Sequence, residues 1–182
     1  CASTPVVENE KSRKDSQGSF KRATTLDAHN VTETAERTEK ILLTHWDILQ
    51  RSLMSLQQSR DKTHQLLQQS EFSFEELESI DSLNSKFSRT SDIYLQKVLR
   101  SIWMLLREDT VPLIDLLNRA EKLMIIISAE ELLQMRGIRN QIAHEYLPEA
   151  VPELASEVVV ITTLQQKNIM QTEHFLSQRA WL

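Results

Sequence analysis

Glycine and proline are scarce in this sequence, with two glycines and four prolines among 182 residues. Sheet sandwiches and doubly wound α/β folds need many tight turns. The shortage argues against both and points to long helices with few connections. Aromatic residues make up only 5% of the chain while Leu and Ile are frequent, which suits helix-on-helix packing. A single cysteine, Cys1, leaves no means of building a disulfide framework or a thiolate metal cluster. No apolar run approaches the roughly 20 residues that a membrane span requires. The longest is the short stretch through Met124, Ile125, Ile126 and Ile127. A secretory leader pattern is also missing, so a reducing, cytoplasmic setting is the default expectation. The chain opens on Cys1 rather than Met, as a fragment or a processed form would. A leading Cys is also what lipoprotein processing leaves behind, but no lipid signal accompanies it here. Basic runs are lacking too. With a net charge of −5 and a pI near 5.6, the field of the whole molecule does not attract nucleic acid. A local cationic cleft remains compatible with that balance.

What is present is helical periodicity. Residues 1–33 are rich in Ser, Thr, Lys and Glu and poor in large apolar side chains. They cannot bury enough surface to offset their ordering entropy, and the expectation is a disordered tail. From about Thr34 to Gln69 the residues Leu42, Trp46, Leu49, Leu53 and Leu56 recur at three- and four-residue steps, with Leu67 on the same side. Ser73-Phe74-Glu75-Glu76 is a capping-box pattern that opens a second helix. This helix carries Ile80, Leu83, Phe87, Tyr94, Leu95, Val98, Leu99, Ile102, Trp103 and Leu106, and a break near Asp92 is plausible. Pro112 starts a short third helix that ends near Lys122. Ser128-Ala129-Glu130-Glu131 is a second capping box and opens a helix over about Ala129–Tyr146. Pro148 and Pro152 bracket the next connection. A last helix spans about Glu153–Arg179. Together these predict an all-α fold, an antiparallel bundle of four or five helices over residues 34–182.

The chemistry concentrates in Arg139-Asn140-Gln141-Ile142-Ala143-His144-Glu145-Tyr146. Arginine supplies a permanent cation with a planar fork of donors suited to phosphate. Histidine can take and give protons near neutral pH. Asn140 lies four residues before His144 on one helix face, where it could orient the ring or hold a phosphate oxygen. Tyr146 lies seven residues after Arg139, again on one face. Arg139 and His144, by contrast, are separated by five residues, or about 500° of helical rotation, and point about 140° apart. One helix alone does not aim both at the same atom. A long Arg side chain, a distorted helix end before Pro148, or a second copy of the helix across a two-fold axis has to bring them together. An Arg-x4-His pair by itself is common and usually structural; Asn140 and Tyr146 at fixed offsets make coincidence much less frequent. Gly137, one turn before the site, costs roughly 1 kcal/mol against Ala and marks either a close helix approach or a weakened site. The remaining histidines, His29, His45, His64 and His174, have no ligand-spaced neighbours, and no metal-binding set is present.

The stretch Arg136-Gly137-Ile138-Arg139-Asn140-Gln141-Ile142-Ala143-His144-Glu145-Tyr146 resembles the R-x4-H-x-Y signature of the HEPN-superfamily HepT toxins. The resemblance extends through Phe87–Leu106 and Leu116-Leu117-Asn118-Arg119-Ala120-Glu121-Lys122, and covers about residues 35–180. It implies a helical bundle that forms a homodimer, and a ribonuclease that needs no metal and no cofactor of its own. It also implies a cognate antitoxin, a minimal nucleotidyltransferase (MNT) that uses ATP to place AMP on the motif tyrosine. On that resemblance Arg139 and His144 are the catalytic residues, Asn140 is their polar companion and Tyr146 is the modified residue. The implied reaction is a transesterification. His144 assists proton transfer at the RNA 2′-hydroxyl or the leaving oxygen, and Arg139 stabilises charge on the phosphate. Two other classes stay open. One is an inactive HEPN protein that binds nucleotide or substrate beside a nucleotidyltransferase, and the other is a helical bundle with no site. RNA cleavage that disappears in Arg139→Ala separates the first reading from both.

Overall fold

The computed structural model describes residues 11–145 and 150–182, with side chains from Glu33 onward. All regular structure among these residues is helical, with no strand. The helices are α1 (Lys11–Leu66), α2 (Phe74–Asp92), α3 (Leu99–Leu105), α4 (Leu113–Lys122), α5 (Ala129–His144) and α6 (Val151–Gln178). None is long and apolar enough to cross a membrane.

The chain divides into two units, Cys1–Thr38 and Glu39–Leu182. In the first, the described backbone from Lys11 onward is helical. Residues 1–10 lie outside the described residues. The helical backbone has a local explanation. Between Lys11 and Thr38 the chain contains no proline, and Lys and Arg recur along it, so backbone propensity permits a helix there.

The second unit is a helical bundle. The periodic positions of α1 turn inward as expected, with Leu42, Trp46, Leu49, Leu53 and Leu56 all buried. Trp46 and Trp103 are both core residues. Helix α2 packs on α5 and α6, and α5 packs on α4 and α6. Polar bonds fix α1 against its neighbours. Ser52 Oγ and Thr90 Oγ1 are 2.7 Å apart, and Arg60 donates to the Val159 carbonyl at 3.1 Å and to Thr163 at 3.1 Å.

The Ser73 capping box forms in full, with the Glu76 N–H donating to Ser73 Oγ and the Ser73 N–H to Glu76 Oε2. The second box forms by half. Ser128 Oγ accepts from the Glu131 N–H at 3.2 Å, but the Glu131 carboxylate takes the Asn168 amide at 2.7 Å instead of reaching back to its own cap. A tertiary partner has displaced a local one.

The plausible break at Asp92 is a π-helical turn, Ile93–Val98, that joins α2 to α3 without interrupting the helix. The Leu99 N–H bonds Tyr94 O, five residues back, where an α-helix would bond four back. Its residues Ile93, Tyr94, Leu95 and Val98 are buried. Tyr94 donates to Thr172 Oγ1 at 2.7 Å and Thr172 donates to the Ile125 carbonyl at 2.8 Å, so this turn, α6 and the segment after α4 are tied by one relay. Burial pushes the Tyr94 phenol pKa far above its usual range.

The glycine shortage leaves a mark on helix ends. Helices α3, α4 and α6 each close with a left-handed residue that is not glycine: Arg107, Met124 and Ala180, at φ 57°, 57° and 53°. Each carries the paired backbone bonds of a Schellman ending, such as Ile125 N–H to Ala120 O and Met124 N–H to Glu121 O, both at 2.9 Å. Good capping geometry offsets an unfavourable residue choice.

Candidate functional site

Helix α5 carries the motif, and its start is held by side chains from elsewhere. The Ala129 N–H donates to Glu121 Oε2 at 2.6 Å. Asn168, fully buried on α6, accepts from the N–H groups of Ile127 at 2.9 Å and Ser128 at 3.2 Å. Its amide donates to Glu131 and to the Leu164 carbonyl. Leu132, Met135 and Ile138 then bury the inner face of α5. The outer face, including Arg136 and Asn140, is thereby set toward solvent.

Arg139 meets a partner from α2. Its Nε donates to Asp92 Oδ1 at 2.9 Å and its Nη2 to Asp92 Oδ2 at 2.7 Å. This is a two-point grip between an arginine fork and a carboxylate. The Asp92 carboxylate holds the guanidinium pKa above its ordinary high value. Around the pair opens a cleft of about 550 Å³ lined by Arg89, Lys97, Arg136, Arg139, Asn140 and Asp92, with Gln96 and apolar neighbours. Four cations thus face one carboxylate. Arg89, Lys97 and Arg136 have no carboxylate partner within ion-pair distance among the described residues. The local field is positive although the molecule is acidic, and the chemistry offered is binding of an anion with several oxygens.

Of the four residues singled out by the motif, two meet in this cleft. Arg139 is half-buried and Asn140 exposed, and both line it. Arg139 Nη1 lies 3.4 Å from Asn140 Oδ1. His144 is the last residue of α5, is exposed, and is not among the lining residues of the cleft. Within one chain, then, the cleft holds Arg139 without His144. Tyr146 lies outside the described residues, as do Leu147, Pro148 and Glu149. Helix α5 ends at His144, and Glu145 has extended backbone with ψ 126°. Pro152, expected in the connection, sits in the first turn of α6. Gly137 marks no close approach, since a Cβ built there meets nothing within 4 Å.

The partners of Arg139 lie about forty or fifty residues before it in sequence and were not singled out. Their spacing did carry a signal. Arg89, Asp92 and Gln96 stand at three- and four-residue steps, with Lys97 next to Gln96.

His45 also gains a partner that spacing within α1 cannot show. Its Nδ1 is 2.8 Å from Ser101 Oγ on α3. Burial and the nearby Lys97 cation lower its pKa, and a hydrogen bond with the Lys97 backbone opposes them in part. The neutral ring braces the π turn from which Lys97 enters the cleft. Among the described residues no group of three or more His, Cys, Asp or Glu side chains is placed to hold a metal ion.

Comparison with protein families, with curated proteins and with solved structures finds no match.

Proposed function

We propose that the chain is a ribonuclease toxin of the HEPN/MNT type that works as a homodimer. The observation that carries this reading is the motif arginine, Arg139, set with Asn140 in a cleft of unpaired cations. Arg136, Lys97 and Arg89 supply the charge that draws in an RNA backbone, and Arg139 faces the phosphate at which bonds change. In the reaction the 2′-oxygen forms a bond to phosphorus and the 5′-oxygen leaves. A proton passes from the 2′-hydroxyl and another reaches the leaving oxygen, with His144 as the group that moves them. Because His144 does not line the cleft of its own chain, the reading requires His144 and Arg139 to converge across a dimer axis beside α5. Neutralisation follows from AMP transfer by a partner nucleotidyltransferase. The Tyr146 oxygen attacks the α-phosphorus of ATP, pyrophosphate leaves, and the added phosphodiester repels RNA phosphate.

The exposed position of His144 also favours a second reading: a non-catalytic HEPN protein that binds nucleotide or substrate for a partner nucleotidyltransferase. Purified protein incubated with RNA in EDTA decides between them. The ribonuclease reading expects cleavage that survives chelation and is lost in Arg139→Ala and in His144→Ala. No cleavage by the wild type, with the protein shown to be dimeric, refutes it and leaves the binding reading. Co-expression with an MNT-type partner and peptide mass spectrometry test the Tyr146 step, and silencing without a mass gain on Tyr146 refutes it.

A further inference from the structure

A guanidinium has two edges that can grip an oxyanion: the side edge, Nε with one terminal nitrogen, and the end edge formed by both terminal nitrogens. Asp92 occupies the side edge of Arg139 completely, at 2.9 Å and 2.7 Å. Both protons of Nη1 and one of Nη2 remain. Nη1 has only a long contact, 3.4 Å, to Asn140 Oδ1. Arg139 lines one cleft with Asn140, Arg136 and Lys97, and its end edge is the edge that Asp92 leaves open.

Both members of the pair stand on fixed backbone. Asp92 is the last residue of α2, directly before the buried Ile93 and Tyr94 of the π turn. Arg139 follows the buried Met135 and Ile138 on α5, whose start is anchored by Glu121 and Asn168.

We propose that Asp92 is a positioning residue, which holds Arg139 by its side edge and so presents its end edge to a phosphate in the cleft. The proposal rests on the RNA-binding reading given above and names a residue on which that reading depends. It also opposes simple electrostatics. Asp92 is the one carboxylate in a cluster of four cations. If it merely competed with the ligand, removing its charge would tighten anion binding. As a positioning residue, its removal loosens binding although the cleft gains a positive charge. The side chain is then free to swing, and ordering it again costs affinity on every binding event.

The test uses the full chain and a fluorescein-labelled 2′-O-methyl RNA hexamer, which cannot be cleaved by 2′-hydroxyl attack, with fluorescence anisotropy as the readout. Asp92→Asn should weaken binding about tenfold and come close to Arg139→Ala, whereas Asp92→Glu recovers part of the loss. Binding by Asp92→Asn that equals or exceeds the wild type overturns the proposal. A second measurement needs no variant. The Arg139 Nε–H resonance of the wild-type protein should exchange slowly with solvent, and exchange as fast as in free arginine overturns the proposal as well. Failure of the ribonuclease reading is separable. If RNA is not cleaved but the hexamer results hold, positioning stands and catalysis falls. If the wild type does not bind the hexamer, both fall.

Discussion

Asn168 is the side chain on which the helix carrying the motif depends most. It uses every hydrogen-bonding position it has: two N–H groups of the α4–α5 connection on Oδ1, and Glu131 and the Leu164 carbonyl on Nδ2. Asn168→Ala removes four bonds at once. A net value of about 0.5–1.5 kcal/mol each sets an upper range of roughly 2–6 kcal/mol. Part of this is recovered. Ile127 is exposed, so its N–H can turn to water, and the Leu164 carbonyl keeps its place in the helix ladder. The expected loss is therefore about 2–4 kcal/mol, or a fall in Tm of about 5–12 °C for a unit of this size. Asn168→Asp should be no milder, because it sets a second carboxylate against Glu131 where an amide now donates at 2.7 Å. Urea denaturation of both variants, with the exposed Lys167→Ala as control, measures the loss. Amide hydrogen exchange should quicken first across residues 127–132. A loss below about 1 kcal/mol in Asn168→Ala would refute the reasoning, since it would mean that water replaces the whole knot without penalty.

Gly137→Ala should stabilise the protein by about 0.8–1 kcal/mol, because the site is helical and the added methyl meets open space. A stability loss in thermal denaturation would show that another surface, such as a second copy of α5, packs there. Met124→Gly should add about 0.5–1 kcal/mol by relieving a left-handed backbone at an exposed side chain. No gain in the denaturation midpoint would argue that Met124 contributes contacts which its exposure does not suggest. For His45 the folded pKa lies below the ordinary value, so below about pH 6.5 the unfolded chain takes the proton first. Its contribution to stability is therefore complete above that pH and is lost as the pH falls through the folded pKa. Denaturation of the wild type and His45→Gln between pH 7.5 and 5 should show the gap narrowing on acidification. A constant gap would refute the assignment.

Much of the fold was legible in the residues alone. Leucine and isoleucine at helical steps mark the buried faces of α1, α2 and α6, because a helix in water must hide one stripe and repeats it every three or four positions. Ser73 with Glu76 marks a helix start for an equally local reason: both partners lie within one turn. The motif in α5 was visible as a string, and so was the mismatch in direction between Arg139 and His144, since both follow from residues a fixed rotation apart. The cleft was not visible. Asp92 reaches Arg139, and Lys97 the same cleft, only because α2 packs on α5, and no one-dimensional spacing encodes that crossing. The same holds for Glu131, which local rules assign to its own cap and which bonds Asn168 instead. Where helices form, and which stripe each must bury, follows from neighbouring residues alone, because those preferences are settled within a few residues by backbone geometry and the aversion of apolar groups to water. Which charges meet depends on the packing of the helices, because side chains distant in sequence are paired by how the buried stripes interlock.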